Sequence, residues 1–406
     1  MGDVDQGQVV VCHHTHLVEM RRAANVSLSR RDLPMLSHAA EMFLRAWVFP
    51  GACLSLATWL PGAQVDATAA FGAYQVQATH LLGGDGGWDL LSVDSQAHRL
   101  YIARSTRAMV VDTTNGSLIG EIPGNGVHGV AMVPETNRGF MTNGKDNTVT
   151  IFDLKTLAVV GHVATGPKPD AIIYDAASKQ VFVCNNGGTT LTVLAPTDGA
   201  VVGTIEVGGA PELVAVDGAG RLYTNLEDKN EVGVVDTRAL TAMARWPLAP
   251  GNEPSGIAVD AQHHRVFSVC HGSKTMEVLN ADTGKVIASL PIGAGADGAV
   301  FDPRSGNVFS PNGDGTLTVI HETTTDNYVV AQTVTTKGGA RTIAIDEHTG
   351  LLYVVTAERK PAAAGEVALG EAAKGEVPKG ETAKKSRPDY LPQTFAVLVI
   401  GQPAGK

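Results

Sequence analysis

Seven polar residues recur along the chain at a nearly constant spacing and could together form a chemical site. They lie 39 to 44 residues apart and are, in order, Asp89, His128, Asp170, Glu212, Ser255, Asp297 and Arg341. Four carboxylates beside an imidazole could hold a hard divalent cation through oxygen atoms, and a histidine with a carboxylate could act as base and acid. The same pattern also fits a solvated rim without a ligand, and the spacing does not separate the two interpretations.

Each of these seven residues stands five positions before the anchor of a sequence repeat. A copy is an apolar run ending in Asp, a short polar turn and a second apolar run with an aromatic, as in LLSVDSQAHRLYIA and TIAIDEHTGLLYVV. The anchors are positions 94, 133, 175, 217, 260, 302 and 346, and only the second copy has Val133 instead of Asp. A period near 42 that recurs this often indicates one supersecondary unit stacked on itself.

Each repeat contains four short apolar runs, which in the copy at 128–166 are HGVAMV, RGFMTN, TVTIFD and VVGHVATG. Short runs rich in Val, Ile and aromatics, separated by Gly, Asn and Asp, are typical of antiparallel strands with tight turns. The chain is therefore expected to be all-β, a seven-bladed β-propeller with four-stranded antiparallel blades. A surplus run at 73–82 and a last copy that stops one strand short, at 395–403, predict that the N-terminal strand closes the last blade.

The second and third runs of the repeats read FMTNGKDNTVTIFD and LYTNLEDKNEVGVVD. They resemble the YVTN-type β-propeller repeat of exported bacterial proteins, and the resemblance covers roughly residues 73–403. It implies the fold but assigns no function, because propellers host unrelated activities.

The two ends and one internal segment depart from the repeat. Residues 1–41 are polar without a strand pattern and are expected to be a non-native or disordered extension. Residues 42–69 have the layout of a signal peptide, with Arg45, a short apolar stretch and small residues at the end. The segment 358–393 carries Gly-Glu every five residues and few large apolar side chains, so it is predicted to be a disordered insertion within the 73–403 propeller.

Composition narrows the choice of partners. The formal net charge is −10, which disfavours binding to nucleic acid. The mature chain has no predicted membrane span, and a monomer in the periplasm or secreted is expected. Cys184 and Cys270 are expected to be small core residues rather than a disulfide pair.

The absence of a catalytic motif favours an exported, non-catalytic propeller that binds a protein partner or small ligand at its channel face, with the seven recurring residues as the candidate ligand-binding set. No catalytic residue and no required cofactor is assigned, although a divalent cation remains possible at the ring. A metal-dependent, lactonase-like hydrolase that uses the channel-mouth carboxylates is the first alternative, and a DNA-binding propeller is the second. Trp88, next to Asp89, could cover one side of a pocket or simply pack at the channel mouth.

Overall fold

Every regular element in the described part of the chain is a β-strand or a short 3-10 turn. A computed structural model describes residues 73–360, 390–391 and 393–403. The predicted extension at 1–41, the predicted signal peptide at 42–69 and most of the insertion at 358–393 lie outside these residues. No helix of the described residues is long and apolar enough to cross a membrane.

The strands of the first half are short, apart from two long ones that fall in the first two repeats: β1 Gln75–Leu81, β2 Leu91–Asp94, β3 Arg99–Asp112, β4 Leu118–Val133, β5 Arg138–Asn143, β6 Thr148–Asp153, β7 Val159–Ala164, β8 Pro169–Asp175, β9 Gln180–Asn185, β10 Thr190–Leu194, β11 Val201–Glu206, β12 Pro211–Val216 and β13 Arg221–Leu226. The second half continues the pattern with β14 Glu231–Asp236, β15 Thr241–Pro247, β16 Pro254–Asp260, β17 Arg265–Cys270, β18 Thr275–Asn280, β19 Val286–Pro291, β20 Val300–Asp302, β21 Asn307–Asn312, β22 Thr316–Thr324, β23 Asn327–Thr335, β24 Ile343–Ile345, β25 Leu352–Thr356 and β26 Ala396–Gly401.

These strands form antiparallel sheets that make a β-propeller. Four sheets take consecutive strands, namely β8 to β11, β12 to β15, β16 to β19 and β20 to β23. In the last sheet β1 is the outer strand, in the order β1-β26-β25-β24, and Val76 pairs with Ile400. The N-terminal strand therefore closes the last sheet, as the surplus run predicts.

The prediction of seven four-stranded blades is wrong, because the described residues form six blades. One of the six is a six-stranded sheet that contains β2 to β7 and thus both of the first two repeats. The cause is local. β3 and β4 continue through positions where the repeat pattern places turns. Ser105 of β3 therefore still pairs with Val127 of β4, at the start of the second repeat. Hydrogen bonding therefore joins two sequence repeats into one sheet.

Burial follows the position of a strand within its sheet. The second and third strands of a repeat are buried on both faces, as in β17, where all six residues are buried. An outer strand such as β1 alternates between exposed and partly buried residues, because one of its faces meets solvent. Cys184 and Cys270 are buried free thiols in the core, which confirms the prediction for both.

The repeated Asp anchors have a structural role at the turn between the first two strands of each unit. The Asp94 carboxylate accepts the backbone N–H of Ala97 at 2.9 Å, and the Asp260 carboxylate accepts the N–H of Gln262 at 3.0 Å. Such bonds stabilise a turn by satisfying its backbone donors. Val133 cannot accept one, and a 3-10 turn at Pro134–Thr136 follows it instead.

Candidate functional site at the channel mouth

The seven recurring residues come together at one end of the central channel. Three of them, Asp89, Asp297 and Arg341, lie just before the first strand of their repeat. Asp170, Glu212 and Ser255 are the second residues of theirs, and His128 lies within the long strand β4. Backbone bonds connect neighbouring repeats there: the Leu90 N–H donates to the His128 carbonyl at 3.1 Å, and the Asp297 N–H donates to the Arg341 carbonyl at 3.1 Å. The Thr342 hydroxyl donates to the Asp89 carbonyl at 2.9 Å. These bonds bring Asp89, His128, Asp297 and Arg341 of the predicted set close together, and the use of the seven residues for a ligand stays a prediction.

Three of the seven residues form a tight group. His128 Nδ1 lies 2.6 Å from an Asp89 carboxylate oxygen and 3.6 Å from an Asp170 carboxylate oxygen. One ligand atom from each residue falls within 4.8 Å of the others. We call Asp89, His128 and Asp170 the mouth triad. It combines one nitrogen and two carboxylates, which is a donor set that metal ions use.

The Asp170 carboxylate has no hydrogen bond from the described residues. Its nearest cationic groups are His128 at 3.6 Å and the Lys168 ammonium at 3.7 Å. Asp170 is nevertheless only 8% exposed. A carboxylate buried this deeply normally accepts hydrogen bonds, so its lone pairs are available to something that is not protein.

The other ring residues have partners within the protein. The Arg341 guanidinium donates to an Asp297 carboxylate oxygen at 2.8 Å. Glu212 accepts a hydrogen bond from the Asn186 side-chain amide. The Ser255 hydroxyl is buried and donates to the Ala296 carbonyl at 3.1 Å. Ser255 is therefore committed to the backbone, which its position in the repeat did not reveal.

The pKa values show an excess of carboxylates at this end of the channel. Burial, aided by the charge of Asp89, raises the pKa of Asp170 to about 6. Burial, together with the charges of Asp170 and Asp297, raises the pKa of Glu212 to about 9. Burial also raises the pKa of Asp297, although Arg341 opposes the shift.

The same negative charges raise the pKa of His128 as well, which favours the charged form of this group rather than the neutral one. Its burial lowers the pKa of the imidazole, but the hydrogen bond with Asp89 and the charge of Asp170 outweigh burial, and the net pKa of His128 is raised. When it is protonated, the imidazole lies beside both aspartates and relieves their mutual repulsion. A stronger cation in its place would relieve the same repulsion.

A cavity of about 400 Å³ lies beside two members of the triad, Asp89 and His128, and Asp170 is not part of its lining. Three predicted residues line it, namely Asp89, His128 and Arg341, and so do Trp88, Lys145, Lys168 and Tyr390. Sequence reasoning missed the two lysines and Tyr390. Lys168 stands only two residues before Asp170, and Lys145 lies in the turn between β5 and β6. The repeat pattern predicts which turns lie at the same end of the channel as the seven residues, and this signal could have identified both lysines.

A second cavity, of about 470 Å³, is lined mainly by the apolar residues of the innermost strands, such as Leu91, Val130 and Ile172. Asp297 is the ring residue that borders it. Because mainly apolar residues line this second cavity, we interpret it as the part of the channel below the mouth and not as a second chemical site.

The aromatic wall of the mouth cavity is held by a buried arginine. The Trp88 ring packs against Tyr390 at 4.5 Å and against Phe395 at 5.6 Å between ring centroids. Arg104 lies over the Phe395 ring at 3.6 Å and donates to the carbonyls of the 84–87 loop. Burial lowers the pKa of Arg104 to about 10. This loop leads directly into Trp88 and Asp89, so Arg104 fixes the approach to the triad.

Comparison with known proteins gives limited information. No family model matches the chain. It is 30% identical over 95 residues to "Uncharacterized protein YncE" of Salmonella typhimurium (strain LT2) and to "Uncharacterized protein YncE" of Salmonella typhi. The match covers 23% of this chain, and the chain spans about a quarter (27%) of the length of these curated relatives. The similarity is therefore a weak homology that carries no assigned activity.

Proposed function

We propose that this propeller is a non-catalytic binding protein that holds a divalent metal ion at the mouth triad of Asp89, His128 and Asp170. The observation that carries the proposal is the convergence of three metal-binding side chains, two of which, Asp89 and His128, line a cavity. The carboxylate of Asp170, which lacks a hydrogen bond, faces the other two donors of this group.

Two separations within the triad bracket the spacing of ligands around a metal ion. Ligands about 2.1 Å from a tetrahedral ion lie roughly 3.4 Å from one another. The two contacts of His128 Nδ1, at 2.6 Å with Asp89 and 3.6 Å with Asp170, lie on either side of that value. Small side-chain shifts, of less than about 1 Å, therefore suffice to seat an ion.

The charge balance supports a cation as well. The carboxylates of Asp89, Asp170, Glu212 and Asp297 outnumber the two permanently cationic side chains that pair with ring carboxylates, those of Lys168 and Arg341. The raised pKa values of Asp170 and Glu212 record the resulting repulsion. Because one nitrogen and two carboxylates form a mixed donor set, Zn²⁺ and Mn²⁺ are favoured over Ca²⁺, which prefers oxygen alone.

The test is titration of the full, metal-free chain with MnCl₂ or ZnCl₂ by calorimetry at pH 7.5, followed by metal analysis after desalting. One ion per chain is expected for the natural protein, and Asp170→Asn should weaken binding by about 100-fold because it removes a charged ligand without changing shape. Asp198→Asn changes an exposed carboxylate in another turn and should bind normally. Equal binding by all three proteins would place the ion elsewhere and sink the proposal.

A metal-dependent, lactonase-like hydrolase is the second candidate. The observation in its favour is the cavity beside Asp89 and His128, where Arg341 could face the carbonyl oxygen of a substrate. Hydrolysis of δ-valerolactone by the Mn²⁺-loaded protein, abolished by Asp170→Asn, would favour this candidate over the non-catalytic one.

We also infer that the chain belongs to the YVTN-type propellers and is exported. The resemblance of the repeats supports the first inference, and the residue pattern at 42–69 supports the second. Expression of the full chain in a bacterial host, with N-terminal sequencing of the periplasmic fraction, tests export. A new N-terminus near residue 70 is expected, and retention of the complete chain in the cytoplasm would contradict it.

A further inference from the structure

The apolar channel begins where the mouth triad ends. Each member of the triad is followed in the sequence by a residue that lines the cavity of about 470 Å³, namely Leu90, Gly129 and Ala171. In the first repeat the lining continues from Leu90 to Val93, which is about 10 Å of extended strand. The cavity therefore extends along the innermost strands, away from the proposed ion.

Large apolar side chains in the wall of this channel are only partly covered by the protein. Ile173, Leu213 and Val300 belong to three different repeats, line the cavity and are half-buried. Among the described residues of the lining, only Asp297, in the ring, and Glu347, just beyond the end of β24, are charged. Between these two residues the channel presents apolar surface that a ligand could cover.

The two hydroxyl groups in the wall are already bonded within the protein. The Ser92 hydroxyl donates to the Val130 carbonyl at 2.6 Å, and the Tyr174 hydroxyl donates to the Glu135 carboxylate. Water in the channel therefore gains little from these side chains, and a cavity with walls of this kind favours an apolar occupant. A volume of about 470 Å³ falls within the range of small-molecule sites.

Resting on the metal site proposed above, we propose that the ligand is an amphipathic monocarboxylate, with its carboxylate on the ion and its alkyl chain in the apolar channel. Three protein ligands leave coordination positions open for the oxygens of the carboxylate. The ion offsets the negative charge of the mouth, which otherwise repels such a head group. The length of the channel favours an alkyl chain of medium length, such as that of octanoate.

The experiment titrates the full chain, loaded with one Mn²⁺, with butanoate, hexanoate and octanoate by calorimetry at pH 7.5. Each extension by two methylenes should strengthen binding by about 10-fold, because each methylene leaves water for an apolar wall. Octanoate should bind the metal-free chain at least about 10-fold more weakly than the loaded chain. Equal affinities along the series, or equal binding of octanoate with and without Mn²⁺, would overturn the inference.

A variant that narrows the channel locates the alkyl chain. Val214 is half-buried, lines the channel and is not part of the triad. Val214→Phe should keep one Mn²⁺ per chain and its affinity for butanoate, but should weaken octanoate binding by at least about 10-fold. Val202→Phe is the matched control, because Val202 is 46% exposed in the outer strand β11. If the Val214→Phe protein binds octanoate as tightly as this control does, the chain does not lie in the channel and the inference is wrong.

The ion also reports the orientation of the ligand. Mn²⁺ is paramagnetic and broadens the NMR lines of the nearest protons most, so the methylene next to the carboxylate of octanoate should broaden more than the terminal methyl group. This measurement uses the natural protein and does not depend on the folding of a variant. Equal broadening along the chain would contradict the proposed orientation.

The outcomes distinguish this inference from the proposed metal site. If Mn²⁺ binds as expected but a longer alkyl chain does not strengthen binding, the amphipathic ligand is wrong and the metal site stands. If the natural protein binds no Mn²⁺, both are wrong.

Discussion

Buried polar groups in the interior of three repeats and at the channel mouth differ in whether they have hydrogen-bond partners within the protein. In three repeats a buried asparagine at the end of the second strand donates from its side-chain amide to two threonine hydroxyls of the third strand. Asn143 bonds to Thr148 and Thr150, and the same arrangement recurs at Asn185 and Asn312. We call these groups the Asn–Thr clamps. At the mouth, the Asp170 carboxylate and the Trp88 indole N–H lack hydrogen bonds from the described residues.

This difference predicts that the clamps contribute to the stability of the fold and that the mouth residues contribute to binding. A clamp satisfies both amide hydrogens of its asparagine within the protein, so its contribution is made when the chain folds, although Asn185 Oδ1 has no hydrogen-bond partner in the described structure. An unsatisfied buried group reduces stability by a similar amount, and a ligand that reaches it restores that stability. Changes in the clamps should therefore alter unfolding without altering binding, and changes at the mouth should do the reverse.

The largest effect on stability is expected from breaking a clamp. Asn312→Ala removes the bonds to Thr316 and Thr318 and leaves two threonine hydroxyls without that donor. The free energy of unfolding should fall by about 2–3 kcal/mol. Chemical denaturation measures it, and Mn²⁺ affinity measured by calorimetry should not change.

Asn327→Ala is the matched control, because Asn327 is exposed and bonds to Thr324 at the surface. Its effect should stay within about 0.5 kcal/mol. A clamp variant as stable as this control, or one that loses Mn²⁺, would remove the distinction between the two regions.

The next largest effect concerns the pH dependence of metal binding. A metal needs the neutral imidazole of His128 and the ionised carboxylate of Asp170, and the pKa of each is raised, that of Asp170 to about 6. Protons therefore compete for Asp170 below about pH 6 and for His128 to a higher pH, so Mn²⁺ affinity should rise by at least about 30-fold between pH 5.5 and pH 8.5. A flat profile by calorimetry would mean that neither group is a ligand.

Much of the fold and of the ring could be predicted from the sequence. A period near 42 is set by strands and turns that each repeat forms for itself, and the Asp anchors are visible because each satisfies a turn locally, as Asp94 does. The ring followed because a residue's distance from its anchor decides which end of the channel it occupies.

The rest depends on contacts between segments. Whether Ser105 pairs with Val127 is decided by how closely two repeats approach, and this joins them into one blade. The Ser255 hydroxyl is taken by the carbonyl of Ala296, which belongs to the next repeat. Tyr390 reaches the mouth from the far end of a low-complexity insertion, and no local pattern in the sequence marks it.

A smaller change in stability is expected at Glu212. Its pKa is raised to about 9 from 4.5, so the folded state favours its neutral form. That contribution is complete below pH 4.5 and is lost as the pH rises through 9. Glu212→Gln should therefore stabilise the metal-free protein by about 1–2 kcal/mol at pH 8 and by much less at pH 4.5.

The control for Glu212 is Glu206→Gln, which changes an exposed carboxylate of β11. Thermal unfolding at both pH values is the measurement. The same stabilisation at pH 4.5 and pH 8 would show that repulsion among the mouth carboxylates is not its cause.

The smallest effect is expected where one repeat has lost its clamp. In β17 and β18, Cys270 occupies the asparagine position and Glu277 the position of the second threonine. Burial raises the pKa of Glu277, and its Oε2 atom has no hydrogen-bond partner in the described structure. The double variant Cys270→Asn with Glu277→Thr rebuilds a clamp with Thr275, and we expect it to raise the free energy of unfolding by about 1 kcal/mol at pH 7.

The single variants sharpen this prediction. Cys270→Asn alone places a new amide beside Glu277 without the second hydroxyl, and Glu277→Thr alone leaves that hydroxyl without the amide. Their separate effects should therefore sum to less stability than the double variant shows, with a coupling of about 1 kcal/mol in denaturant unfolding. Because the folded state favours neutral Glu277, the gain should also be larger at pH 8 than at pH 5. Additive effects would mean that the asparagine and the threonines do not stabilise the fold through their mutual hydrogen bonds. The contrast between the repeats and the mouth would then depend on the mouth residues alone.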